Sequence, residues 1–452
     1  TSAKFLIEGR LDSQIDTFYE GIQQIPPGTG FEVSFDGTWH QWSFWSLEAL
    51  PAVPSHNPAE AFAELFEDSV RIRMRSDVPV GVCLSGGLDS TAIICAAARQ
   101  RGHRTGEPAD SLQAFCYMAK DFDESKYISD TLAQTGAQLR QLETSPAELW
   151  SDLSKVLWFQ DEPVHTMTAV VGYQLMRLAA SQGIRVVLNG QGADETMGGY
   201  SSYFQDVWVA LIRQGRPGGA WRALTAYTAA HGGSSRRRFT DAIARCLSWE
   251  MHRISAYRRW VQAKRQAHLR QDAWFSGDLT QHLVNEDMAP SGTLSNSLKQ
   301  SVVSAPLPLY LRIEDRNSMG NSVEARLPFL DYRLVSFVFG LSDDWKVRGP
   351  WNKYVLREGM KGRIPESVRT RVDKMGFPTA SKKWFAHDLY EPLRDIIGSR
   401  AARERGIYNA DALLKDLDRH RQGEVDLANK LFHVAEFEML SDLVRQNSVP
   451  SV

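Results

Sequence analysis

The stretch Val80-Gly81-Val82-Cys83-Leu84-Ser85-Gly86-Gly87-Leu88-Asp89-Ser90-Thr91 decides how this 452-residue chain is read. Its first half is a short apolar run with β-branched residues, the pattern of a buried strand. The run stops at Ser85-Gly86-Gly87, and an alanine- and isoleucine-rich helical segment from Thr91 to Ala98 follows at once. A strand that turns over two glycines into a helix N-terminus leaves backbone N–H donors at the positive end of the helix dipole, which suits a phosphate. Neither Gly86 nor Gly87 carries a Cβ to hold an anion away, and Ser85, Ser90 and Thr91 add hydroxyl groups. Asp89 would repel a phosphate directly, so its presence makes sense with a Mg2+ ion between the two. An ordinary strand–turn–helix accounts for two glycines but not for Ser-Gly-Gly-Leu-Asp-Ser as a unit. The unit is not the GxxxxGK[ST] loop either, so cleavage at a γ-phosphate is not the inference.

Outward from this stretch the chain alternates. An amphipathic helix from Ala59 to Arg73 precedes it. Strands are predicted at Leu112–Met118, Gln138–Leu142 and Ile184–Leu188, with helices at Asp123–Gln134, Pro146–Trp158 and Thr168–Ser181 between them. This rhythm predicts an α/β fold with a doubly wound parallel sheet, whose ligands bind beyond the carboxyl ends of the strands. The strand at Ile184 ends in Asn189-Gly190-Gln191-Gly192-Ala193-Asp194-Glu195, followed by Gly198-Gly199-Tyr200. This second glycine-rich turn would reach the same site, and Asp89 with Asp194 would offer two carboxylates to one Mg2+. Asn, Gly and Asp also serve plain turn geometry, so the second loop draws its weight from the first.

Residues 1–50 read as β structure: Phe31–Phe35 alternates, Asp36-Gly37 is a hairpin turn signal, and Trp39, Trp42, Phe44 and Trp45 lie beyond it. So small a sheet is expected to be the tail of a larger N-terminal domain, and the absence of Met at position 1 reads as processing or trimming. Residues 205–300 read as mostly helical, with a basic cluster that includes Arg236, Arg237, Arg238, Arg253, Arg258 and Arg259, taken as a solvated helix face. From Leu309 charges mix closely with apolar residues, at Arg312-Ile313-Glu314-Asp315-Arg316, Glu324–Asp331, Lys353–Arg357 and Arg369–Lys374. Salt-bridged helix faces explain such segments unless an active site draws them together.

Composition narrows the classes. A hydrophobic content of 43%, a charged content of 23% and a net charge of −2 fit an ordinary globular protein without general affinity for nucleic acid or acidic membrane. No apolar run reaches the roughly 18 residues of a membrane span, and no signal peptide is read at the start. Cys83, Cys95, Cys116 and Cys246 show no metal-ligand spacing and read as reduced core thiols. A cytoplasmic enzyme is the expectation.

With these motifs in order, the chain resembles the asparagine synthetase family (glutamine-hydrolysing type) in its synthetase domain, from about Pro58 to the C-terminus. The Ser85–Ser90 unit is similar to the PP-loop of ATP pyrophosphatases, which cleave ATP between the α and β phosphates. The resemblance implies an adenine nucleotide alpha-hydrolase-like fold with a large helical C-terminal part and a short N-terminal β remnant. It divides the chain into the end of a glutaminase β domain (1–50), an ATP-pyrophosphatase core (51–200), a helical insertion (201–300) and a helical remainder that completes the site (301–452). The implied reaction uses ATP and Mg2+ to adenylate a carboxylate, aspartate by default; ammonia from glutamine, or an amine, then forms the amide, and AMP leaves. By motif, Leu84, Ser85, Gly86, Gly87, Asp89, Ser90, Asn189, Gly190 and Gly192 would hold the nucleotide, and Asp89 and Asp194 the metal. Lys374, Lys353 and Gln191 would act at the reacting centre.

The sequence departs from the family pattern twice. Gln191 stands where many members carry Glu, and an amide can position a substrate but cannot act as a base. Gln160–Thr168 lacks the arginine expected to fix an aspartate carboxylate. A relative with another acceptor therefore stays open: a peptide or β-lactam ring-closing synthetase, or a sugar-acid amidotransferase. A catalytically silent binding homologue is a third reading. The implied partners are a small carboxylate substrate, an ammonia donor and a glutaminase domain or subunit not present in this chain, with a homodimer possible in principle.

Overall fold

The computed structural model describes residues 1–12, 15–47, 56–104, 112–119, 122–270, 273–277, 279, 292–373 and 379–446. Its centre is a five-stranded, all-parallel sheet built from β3 (Val80–Cys83), β4 (Gln113–Tyr117), β5 (Gln138–Leu142), β6 (Val186–Leu188) and β7 (Glu324–Arg326). A separate antiparallel hairpin pairs β1 (Thr29–Val33) with β2 (Trp39–Ser43). The sheet order is β5-β4-β3-β6-β7. The chain starts at β3, runs outward through β4 to β5, then crosses back to lay β6 on the other side of β3. That reversal between β3 and β6 is the topological switch point, where a parallel sheet leaves a crevice at its carboxyl edge.

Every residue of β3 and β6 is buried, as expected for parallel strands covered on both faces. Val80, Val82 and Leu84 join one cluster with Phe62, Phe66 and Val70 of the Pro58–Arg73 helix and Ala92, Ile93 and Ala96 of the Leu88–Arg104 helix. Cys83 and Val187 face the other way, onto Leu175, Met176 and Ala179 of the Thr168–Ser181 helix. The doubly wound α/β sheet is thus as expected. Asn57 caps the first helix by accepting from the Glu60 N–H, and Ser145 with Glu148 forms a complete capping box on the helix Pro146–Gln160.

Two local readings change. Ser2–Glu8 is a helix rather than β structure, ended by Gly9 at φ 66°. Its Phe5 and Leu6 are buried in a large helical cluster with Leu431 and Phe432 of the last helix, Ala428–Gln446. Five consecutive mostly apolar residues have no period that separates strand from helix, and docking on a helical partner decides the matter. Glu324–Arg326 forms the fifth strand, pairing Val186 with Glu324 and Leu188 with Arg326; three residues with charged ends carry no strand signal of their own.

The hairpin turns at Asp36-Gly37 as expected, with Gly37 at φ 85° and the Thr38 N–H donating to Asp36 Oδ1 at 2.9 Å. All five β2 residues are exposed. Residues 202–303 supply the helices Ser202–Arg213, Pro217–His231, Ser235–Met251, Ser255–Arg270 and Leu294–Val303. Cys83, Cys95, Cys116 and Cys246 are free; the first three are buried, and burial pushes the Cys95 thiol up to about 12. Among the described residues no helix is long and apolar enough to cross a membrane.

Candidate active site

The loop leaving β3 is held by its own hydroxyls. The Ser85 N–H donates to Ser90 Oγ at 3.0 Å, Ser90 Oγ donates to the Ser85 carbonyl at 2.9 Å, and the Gly87 N–H donates to Ser85 Oγ at 3.2 Å. The Leu84 N–H continues the sheet onto the Phe115 carbonyl. The helix begins at Leu88, so Asp89 lies in its first turn. Thr91 departs from its expected place: its Oγ1 pairs with Thr131 Oγ1 at 3.2 Å in the interior, away from the loop.

The loop leaving β6 comes alongside. A Cβ at Gly190 would lie 3.2 Å from Asp89 Cβ, so the two loops touch. Gly192 adopts φ 89°, and any side chain there would collide with Leu330. Asp89 and Asp194, 105 positions apart in sequence, converge on one ammonium: Lys353 Nζ lies 2.6 and 2.5 Å from the two Asp89 carboxylate oxygens and 2.8 Å from Asp194 Oδ1. Lys353 is 1% exposed and sits at φ 48°, ψ 41°, a left-handed conformation that costs a non-glycine residue about 1–3 kcal/mol. Such strain persists only where surrounding structure over-determines it. Gly199 shows the closeness of this packing, because a Cβ there would fall on the Asp194 carboxylate and 2.4 Å from Lys353 Cε is already occupied space. Asn352 Nδ2 holds the Gly199 carbonyl at 2.6 Å.

Two carboxylates focused on one positive centre form a donor set that fits Mg2+, which takes one or two carboxylates together with phosphate oxygens. No group of three or more potential metal ligands occurs among the described residues, so a closed all-protein metal cage is not what this arrangement offers.

Behind the second loop stands a residue whose role the sequence did not single out. Glu314, on the helix Leu307–Met319, is half-buried and receives the Asn189 amide at 2.6 Å and a hydrogen bond from Gln191. Burial raises its carboxyl above the usual range, and the two amides only partly counter this. Asn189 in turn accepts from the Gly190 N–H at 2.7 Å. Glu195 is buried; burial and the neighbouring Asp194 raise its carboxyl, while the Tyr200 hydroxyl donates to it. The only signal for Glu314 in the sequence was its place in a charge-dense segment, since the 125 residues separating it from Asn189 hide the contact.

The Asp161–Thr168 segment is served by arginines from elsewhere. Arg316 pairs with Asp161, and Arg312 donates to the Pro163 carbonyl, Gln160 and Asp12. Lys374 lies outside the described residues.

A doubly wound parallel sheet with a Ser-Gly-Gly loop and an Asn/Asp loop at its switch point has the adenine nucleotide alpha-hydrolase-like fold. The family model for asparagine synthase matches residues 61–442, and the chain belongs to that family. Its relatives include "Asparagine synthetase [glutamine-hydrolyzing] 1" of Bacillus subtilis (strain 168), 26% identical over 92% of this chain and 64% of the relative. A "Putative asparagine synthetase [glutamine-hydrolyzing]" of Mycobacterium bovis is 25% identical over 96% of this chain and 66% of its own length. "Amidase chry2" of Gibberella zeae is 23% identical over 95% and 69%. The chain thus spans about two thirds of the length of these curated relatives.

Proposed function

We propose that this chain forms an amide using ATP, by adenylating a carboxylate and passing the acyl group to ammonia or another amine. The observation that carries the reading is the convergence of Asp89 and Asp194 on a buried lysine beside the Ser85–Ser90 loop. Asp89 and Asp194 would hold Mg2+, which neutralises phosphate charge when bound. The backbone N–H groups of the Ser85–Ser90 loop would receive the pyrophosphate portion of ATP, with Asn189, Gly190 and Gly192 along the nucleotide. A substrate carboxylate oxygen attacks the α-phosphorus, and the bond to the β,γ-pyrophosphate breaks. Lys353 and Lys374 are the cations that steady the charge developing there, where a fixed positive group in a dry site counts most.

In the second half an amine attacks the acyl carbon and AMP departs. The amine must lose a proton, and Gln191 cannot take it. Glu314, touching Gln191 and raised by burial, is matched to that task. The relatives named as amidases support keeping acceptors other than aspartate in the reading. The test supplies ATP, Mg2+, aspartate and ammonium, then measures AMP, pyrophosphate and asparagine together. Equal amounts of all three are expected for the default substrate. AMP and pyrophosphate that depend on a different carboxylate would move the acceptor, and ADP in place of AMP would overturn the reading.

A further inference from the structure

The first loop already holds a carboxylate, and it is the protein's own. The Gly86 N–H donates to Glu124 Oε2 at 3.2 Å, while the Gly86 carbonyl accepts from Arg371 Nη1 at 2.9 Å. The two side chains that grip this peptide unit are paired with each other at 2.6 Å, and both are largely buried, at 6% exposure for Arg371 and 14% for Glu124. Arg371 is braced further by the Tyr127 ring 4.2 Å below its guanidinium and by Asp373 Oδ1 at 3.1 Å. A Cβ at Gly86 would lie 2.8 Å from Glu124 Cβ and 3.1 Å from Arg371 Nη1, so glycine is what lets the pair close over the loop.

Glu124 is also the N-cap residue of the helix Ser125–Thr135, yet its side chain makes no capping bond. Asp123 serves the Ser125 N–H instead, at 2.9 Å. An acidic side chain at a helix N-terminus ordinarily turns back to its own N–H groups; this one crosses to the neighbouring loop.

We propose that Glu124 is a placeholder for phosphate. Its carboxylate accepts from the Gly86 N–H and gives way when the nucleotide's pyrophosphate arrives, with Arg371 as the cation that neutralises whichever anion is present. The inference rests on the adenylating reading of this loop. One N–H serves one acceptor well, and a carboxylate beside an incoming phosphate is repulsive, so displacing Glu124 lowers the apparent affinity for nucleotide.

This gives the variants opposite signs. Calorimetric titration of the intact chain with Mg-ATP, and separately with inorganic pyrophosphate, is expected to show Glu124→Gln binding both about 5- to 10-fold more tightly than wild type. Glu124→Asp, one methylene shorter, should shift the same way by a smaller factor, and it stands in if the amide variant does not fold. Arg371→Gln leaves the carboxylate unneutralised and should weaken binding by about tenfold or more, with Glu124→Gln in the same chain restoring much of the loss. Unchanged or weaker binding in both Glu124 variants overturns the placeholder, as does a double variant weaker than Arg371→Gln alone. A wild-type chain that binds neither Mg-ATP nor pyrophosphate overturns the adenylating reading itself.

Discussion

The two loops at the switch point meet at one site but are built by opposite means. The Ser85–Ser90 loop is shaped largely by partners within five residues, two serine hydroxyls, the Gly87 N–H and the start of a helix, with Glu124 and Arg371 gripping the Gly86 peptide from farther along the chain. The Asn189–Tyr200 loop is organised by partners more than 120 residues away. Glu314 holds Asn189, Leu330 fills the space above Gly192, Lys353 binds Asp194, and Asn352 holds Gly199. The local loop presents backbone donors that need only the chain direction of one strand and one helix. The distant loop presents charged side chains, and close charges in a dry site need neighbours from the whole fold to hold them. The hydrogen bonds that shape the first loop are thus mostly local, and the contacts that fix the charged groups of the second are global.

The sharpest way to break that contrast is at Asp89, which belongs to the first loop in sequence and to the second in its contacts. Asp89→Asn should abolish ATP–pyrophosphate exchange, by about 10³-fold or more, because Mg2+ loses a charged ligand and Lys353 loses half its compensation. Exchange near the wild-type rate would remove Asp89 from the metal role. Next comes Gly199→Ala, which adds one carbon where Asp194 and Lys353 already lie. It should cost about 10²-fold in the same exchange with a wild-type Kd for pyrophosphate, since the first loop is untouched; a loss of both would show the loops to be one unit.

Glu314→Gln is expected to slow amide formation by about 10- to 100-fold while exchange persists. Burial raises the carboxyl of Glu314, so the rate should rise with pH through that raised value in the wild type, and this acid limb should vanish in the variant. The stability sign runs the other way. A carboxyl raised in the fold holds its proton more tightly folded than unfolded, so wild-type stability falls as pH climbs from the ordinary carboxylate range through the raised value, and Glu314→Gln flattens that fall. A pH profile identical in both proteins would return Glu314 to a structural role. The smallest effect is expected from Ser90→Ala, about 1 kcal/mol of stability by denaturant unfolding and a few-fold in affinity for pyrophosphate, because it loosens local bonds only.

Legibility followed the same division. The hairpin turn at Asp36-Gly37 and the buried strand at Val80 announce themselves, since backbone geometry and burial leave a period and a turn signature in adjacent residues. Ser2–Glu8 misled because a short, mostly apolar run has no period; its helical form comes from the last helix it packs against. Glu324–Arg326 looked like a charged segment and is a strand only because β6 lies open beside it. Thr91 reads as a loop hydroxyl and is a core residue, one turn of helix having carried it inward. Glu124 and Glu314 were legible as acids and not as parts of a site.

By itself the sequence determined the strand–loop–helix at Val80–Ala98, the alternation that makes a parallel sheet and the identity of the two aspartates, because each is written in the geometry of neighbouring residues. Tertiary structure alone decided that Lys353 sits between those aspartates, that Glu314 stands behind Gln191 and that Glu124 and Arg371 close over Gly86. Those contacts join elements up to 285 residues apart. What holds them is burial and charge compensation, which depend on the fold as a whole and leave no periodic trace along the chain.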